Sequence, residues 1–413
     1  MRAHVNAYGV KMGKDRLRFG FLAAALLGVT AIVTPAAAQQ GLKLGVLMSM
    51  TGGLGSYGEV GLNGVRLAVE EMNAAGGVNG GQVTLAVGDD QTSPQAGVDA
   101  AKRLVDIEKV NAIIGALSSG VTIPVATSVA VPAGMIQIST ASTSPEITTL
   151  KDGDFLFRTV PTDAVQGVAL AQIAKEKGVK SAAIIYVNND YGKGLAEAFT
   201  KSFEGKVTQS IAYEPKQASF RGELQRAAQG GADTLLLLAY PEDGIPILKQ
   251  ALEGGFFKKF AFADGMKAPE VAKSIGAKFV EGAFATAPQA AGEASDLFRK
   301  LYEKRFKEMP PKPYIDAAYD AAMLVGLAAV KAKSSNPKAI RDALRFVANA
   351  PGEPIRPGEF AKAKKMLEAG QDIDYVGAGG PQNFDSAGDV VGTYAHWEFK
   401  GGKIVTIKVF EPK

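Results

Sequence analysis

The sequence predicts an α/β protein with two lobes, each a mostly parallel sheet flanked by helices. Three observations carry this. Short β-rich runs alternate with amphipathic helical stretches, which is the pattern of βαβ units. The alternation falls in two blocks, about 42–155 and 181–285, each long enough to build its own sheet. Leu235-Leu-Leu-Leu-Ala239 is a continuous apolar run, as expected of a strand covered on both faces. A chain of 413 residues also exceeds one ordinary hydrophobic core, so two lobes agree with size.

The first 38 residues read as an export leader rather than as part of the fold. Arg2, Lys11, Lys14, Arg16 and Arg18 form a basic segment, and Phe19 to Val33 is an apolar run too short for a comfortable membrane span. Ala36-Ala37-Ala38 is a small-residue cleavage site, placing the mature start at Gln39 and the protein in the periplasm. The leader holds five Lys/Arg and one acid. Taking these from 46 basic and 42 acidic residues leaves 41 of each, so the net charge of +4 belongs to the leader. A neutral mature chain gives no support for binding nucleic acid.

The first block supplies strand patterns at 42–48, 82–88, 112–115 and 135–138, with helical patterns at Val60 to Ala75 and Gln95 to Glu108. The segment Phe155-Leu-Phe-Arg-Thr-Val-Pro161 reads as a crossing between lobes. A helix over Ala164 to Lys177 then leads into strands at 181–187, 207–213, 233–238, 259–263 and 281–285. Beyond 287 the pattern turns helical. Glu293 to Lys307 and Tyr314 to Lys331 are separated by Met309-Pro-Pro-Lys-Pro313, which no helix can cross. Asn336-Pro337 opens another helix, and a short charged one covers 359–369. Strands at 391–399 and 403–409 close the chain as a hairpin through Lys400-Gly-Gly-Lys403. The expected lobes are 42–157 plus 288–375 and 160–286 plus 380–413, with crossings near 156–161, 285–290 and 374–381.

Two successive strands in the first block end in loops of small hydroxyl residues. One runs through Leu117 into Ser118-Ser119-Gly120, and the other into Ser139-Thr140-Ala141-Ser142-Thr143-Ser144. Adjacent strand ends of this kind offer hydroxyls and free N–H groups to a small anion such as a carboxylate. Helix capping is the competing explanation, since Ser is a favoured cap. In the second block Tyr191, Tyr240 and Asp264 follow three strands in the same topological place. Facing each other, the two sets would hold a molecule with a carboxylate at one end, a cation at the other and apolar bulk between.

The alternatives are weaker. Gly53-x-Gly55-x-x-Gly58 imitates a dinucleotide fingerprint, but it starts beyond the strand end, and the acids Asp89 and Asp90 lie too far along. It reads better as a flexible loop bringing a backbone and Tyr57 to a ligand. The chain has no Cys, and outside the leader His396 is the sole His. That removes disulfides, thiol chemistry and a His-based zinc site, and no nucleophile has an evident base beside it. No cofactor or metal is expected.

These residues, in this order, resemble the leucine/isoleucine/valine-binding family of type I periplasmic binding proteins. The matching features are the leader, Gly45-Val-Leu-Met-Ser-Met-Thr-Gly52, Gly61-Leu-Asn-Gly-Val-Arg66, Gly115-Ala-Leu-Ser-Ser119, Thr143-Ser-Pro-Glu146, Asp190-Tyr-Gly192 and Asn383-Phe-Asp-Ser-Ala-Gly-Asp389. They span essentially the whole mature chain. The resemblance implies a monomeric substrate-binding component of an ABC importer that delivers its ligand to a membrane permease and performs no chemistry. It implies that Ser119 and Thr143 donate to the ligand carboxylate, with Leu117, Ser118 and Ser142 nearby, and that Ala141 offers a backbone carbonyl to an ammonium. Asp264 takes the place of the ammonium-binding acid, often Glu in the family. Tyr191 and Tyr240 are the closing aromatics, and Tyr57 covers the ligand side chain. An amino acid of the branched-chain type is the first ligand implied; an aromatic or other small monocarboxylate or amide is the second.

Overall fold

The computed structural model describes residues 41–413; the leader read at 1–38 lies outside them. Among the described residues no helix is long and apolar enough to cross a membrane. The first sheet contains β1 (Lys43–Met48), β2 (Thr84–Asp89), β3 (Ala112–Gly115), β4 (Gln137–Ser139) and β5 (Leu156–Arg158) in the order β2-β1-β3-β4-β5. Every pair in it is parallel. The second sheet contains β6 (Ser181–Val187), β7 (Lys206–Tyr213), β8 (Thr234–Leu238), β9 (Phe260–Phe262) and β10 (Phe284–Pro288). These five are parallel to one another, with β8 in the middle and buried along its length. A third, small sheet holds β11 (Glu353–Ile355), β12 (Ile373–Gly377) and β13 (Gly380–Pro381). Finally β14 (Tyr394–Lys400) and β15 (Lys403–Phe410) add antiparallel to β10, joined by the expected glycine turn.

Two readings need correction. The segment taken as a pure crossing contributes β5, a three-residue strand with all side chains buried. The glycine-rich segment is not a flexible loop throughout: the helix starts at Gly55 and runs to Ala74, five residues earlier than its apolar periodicity shows. Three backbone N–H groups, each donating to a side-chain oxygen, fix its approach. Asp89 Oδ1 accepts from the N–H groups of Met50 and Thr51 at 3.0 and 3.2 Å, and Thr92 Oγ1 accepts from Leu54 N–H at 3.0 Å. Gly58 lets the first turn lie against Ser49, whose carbonyl a Cβ would meet at 2.1 Å. The acid that a dinucleotide reading would assign to a ribose is thus spent on the loop.

Helices after β10 return to the first sheet. Ile315–Ala332 is buried on almost every face and packs along Gly55–Ala74 and against β3. Gly64 permits that approach, because a Cβ there would lie 2.3 Å from the Ile315 carbonyl. The connections between the sheets run side by side. Gln289 and Thr393 exchange hydrogen bonds of 3.0 and 2.6 Å, and Gly392 sits against Pro161. A narrow base of this kind leaves the C-terminal strand ends of the two parallel sheets to face each other.

Candidate functional site

Between those strand ends lies a cavity of about 450 Å³, counting its mouth. Its wall includes Tyr57, Leu117, Ser119, Ala141, Tyr191, Tyr240 and Asp264, seven of the ten residues expected from sequence. The same wall holds Leu54, Gly61, Gly265, Pro313 and Tyr314, which sequence reasoning did not assign to the site.

The second-sheet side is built at helix and turn starts. Tyr191 is in the first turn of the helix Asp190–Ser202, and Tyr240 precedes Pro241–Glu253. Their rings stack with centroids 5.5 Å apart and planes 14° from parallel. Asp264 opens a short 3₁₀ turn directly after β9. It is 4 % exposed. Its Oδ1 accepts from Gln166 Nε2 at 2.7 Å and from the Tyr191 hydroxyl at 3.3 Å. The Tyr314 hydroxyl is buried beside the same carboxylate, without completing a hydrogen bond of ordinary geometry. Burial pushes Asp264 above the usual carboxylate range, and Tyr314, Gln166 and Tyr191 pull it back. All three partners are neutral. Lys267 hydrogen-bonds elsewhere, its Nζ donating to Gln289 at 2.9 Å; burial lowers it to about 8, while the charges of Asp316 and Asp264 act the other way.

The first-sheet side behaves differently. Ser118 and Ser119 begin the helix Ser119–Val125, yet Ser118 makes no side-chain capping bond. Its hydroxyl instead lies 3.1 Å from the Tyr240 hydroxyl, across the cleft. Ser119 Oγ accepts from Ser144 N–H at 3.2 Å, which leaves its own O–H to donate. Ser142, fully buried, shares its hydroxyl with Thr122 at 2.8 Å and with the Leu117 carbonyl. The Thr143 hydroxyl donates to Asp163 Oδ2 at 2.7 Å. The hydroxyl loop is therefore mostly an internal scaffold, and Ser118, Ser142 and Thr143 are not on the cavity wall.

The two sides meet around the cavity. The Tyr57 hydroxyl donates to the Gly265 carbonyl at 3.0 Å. At the mouth Lys312 Nζ donates to the Ser56 carbonyl at 2.6 Å and to Glu270 Oε1 at 2.7 Å. His396, the sole His after the leader, lies 3.0 Å from Glu398 Oε1 in β14 and is not part of the wall.

Tyr314 is the most informative omission. It takes a left-handed backbone conformation (φ 72°) immediately before the helix Ile315–Ala332, which is uncommon for a large side chain. The Pro-rich break before it was visible; that the break delivers an aromatic ring into a cleft was not.

Comparison with known proteins agrees with this geometry. The family model for periplasmic binding proteins matches residues 41–370. The leucine-, isoleucine-, valine-, threonine- and alanine-binding protein of Pseudomonas aeruginosa is 29% identical over 344 residues, covering 81% of this chain and 90% of that one. A leucine-binding protein of Thermotoga maritima superposes with a TM-score of 0.76 at 25% identity, covering 90% of this chain and 99% of that one. An ABC transporter solute-binding protein of R. palustris, solved in complex with benzoate, gives a TM-score of 0.71 at 21% identity, over 90% and 97% of the two chains. That last similarity shows the shared fold alone.

Proposed function

The chain belongs to the periplasmic binding protein family, and we propose that it captures an α-amino acid with an apolar side chain for an ABC importer. The observation that carries this reading is Asp264. A buried carboxylate on a cavity wall, held only by neutral donors, leaves a negative charge uncompensated. A ligand ammonium supplies the missing cation. Ser119 donates its hydroxyl to the ligand carboxylate, and the Ala141 carbonyl accepts from the ammonium. Leu54, Leu117 and the Tyr57 ring enclose the side chain. The names of the Pseudomonas and Thermotoga relatives support the same ligand class.

Delivery follows the family role. The lobes close on the ligand through contacts such as Tyr57 to Gly265, and the closed surface is presented to a membrane permease. No residue is assigned to catalysis, the protein acts as a monomer, and the leader directs it to the periplasm. We assign the two lobes to 42–157 plus 288–375 and 160–286 plus 380–413.

A thermal-shift panel of amino acids, aromatic acids and amides on protein refolded free of ligand tests the reading. An α-amino acid at 100 times its Kd should raise stability by about 2.7 kcal/mol. Shifts from benzoate-like acids with none from any amino acid would favour the monocarboxylate reading instead.

A further inference from the structure

We propose that the first turn of the helix Asp163–Glu176 is the common reference for both ends of the ligand, with Asp163 and Gln166 as positioning residues. This rests on the amino-acid reading of the cleft. The two residues are three apart on one helix and so share a face, and both are 0 % exposed. Neither lines the cavity.

Gln166 governs one end. Its Nε2 donates to Asp264 Oδ1 at 2.7 Å and to the Thr286 carbonyl in β10 at 3.3 Å, so the amide is braced against the second sheet. An amide fixes the carboxylate without neutralising it, which a Lys or Arg in that place would do. Asp163 governs the other end. Its Oδ2 accepts from the Thr143 hydroxyl at 2.7 Å, and its N–H donates to the Thr143 carbonyl at 2.7 Å. Thr143 is thereby gripped by side chain and backbone together. The next residue, Ser144, donates its N–H to Ser119 Oγ and so orients the hydroxyl on the cavity wall. One helical turn therefore sets the separation between the anion-binding hydroxyl and the cation-binding carboxylate. A ligand must match that separation with its carboxylate and its ammonium. Burial holds Asp163 well above the usual carboxylate range and the Asp264 charge raises it further, while the Thr143 bond and the Arg158 charge act the other way.

The test measures Kd for leucine and for isocaproate, the same carbon skeleton without the amine. Gln166→Met keeps the volume and loses the donor. It should narrow the leucine/isocaproate ratio by about tenfold to a hundredfold, the value of a hydrogen bond to a charged group. Gln166→Glu places a third acid near Asp264 and should raise the pH below which leucine binding fails. The titratable groups facing Asp264 are Asp163, Lys267, Tyr57, Tyr191, Tyr240, Tyr314 and Tyr394, none of which the Gln166 variants alter. Asp163→Ala should weaken both ligands in parallel, and Asp163→Asn should recover most of that loss. An unchanged ratio in Gln166→Met, with an unmoved pH limit in Gln166→Glu, would overturn the assignment of Gln166. A selective loss of leucine alone in Asp163→Ala would overturn that of Asp163. Failure of the parent protein to prefer leucine would instead remove the amino-acid reading on which the inference stands.

Discussion

Two buried aspartates in this molecule have opposite surroundings. Asp389 meets a guanidinium: Arg158 Nε and Nη2 reach its two oxygens at 2.6 and 2.7 Å, and Thr148 adds a bond of 2.7 Å. Arg158 also donates to the Ser144 carbonyl at 2.8 Å and is itself 0 % exposed. Asp264, also buried, hydrogen-bonds only with an amide and a tyrosine, with a second tyrosine beside it. The first arrangement is complete and ties the hydroxyl loop to the C-terminal segment. The second is incomplete in charge, and it lines the cavity. Buried acids in one chain can thus be sorted by whether their counter-charge is built in.

The contrast can be broken most severely at the completed pair. Arg158→Ala leaves Asp389 buried without its cation, so unfolding in urea should show a loss of about 3–5 kcal/mol. Asp264→Asn should do the reverse to the ligand-free protein, holding or raising its stability, while weakening leucine by about 2–5 kcal/mol in calorimetric titration. If Asp264→Asn instead unfolds like Arg158→Ala, Asp264 is structural.

The pH dependence sharpens the same point. Asp264 has a raised folded-state pKa, so the folded protein binds more protons than the unfolded chain between the two values. Its contribution to ligand-free stability is therefore lost as pH rises from the ordinary Asp range through the raised one. Leucine binding runs the other way. Only the ionised acid pairs with an ammonium, so affinity should fall by up to about tenfold per unit as pH drops below the raised value. Binding should release protons in that window, measurable as a buffer-dependent enthalpy. Smaller effects belong to single hydrogen bonds. Ser119→Ala should cost every carboxylate ligand about 1.5–3 kcal/mol, and Tyr57→Phe, which removes the bond to Gly265, about 0.5–1.5 kcal/mol. Equilibrium dialysis resolves both.

Long or fully apolar elements were legible in the sequence. Leu235 to Leu238 and Ala112 to Gly115 are strands because nothing but a two-sided core suits them. The strands at Glu353–Ile355 and Gly380–Pro381 were not legible, since two or three residues beside Pro and Gly carry no period. The helix start at Gly55 was hidden because its glycines oppose helix by propensity, Gly58 being retained for close approach to Ser49. At the site, residues at strand ends could be found from local pattern. Tyr314, Asp163 and Gln166 could not, because each acts through a partner far away in the chain. Asp163 meets Thr143 and Gln166 meets Asp264, 20 and 98 positions distant.

The central claim is that Asp264 has no hydrogen-bonded counter-charge of its own and takes one from a ligand's cation. Its most direct test is titration of ligand-free parent protein and Asp264→Asn with leucine and with isocaproate. The account expects the parent to prefer leucine strongly and the variant to lose that preference. Equal affinity for both ligands in the parent, or an undiminished preference in Asp264→Asn, would contradict it.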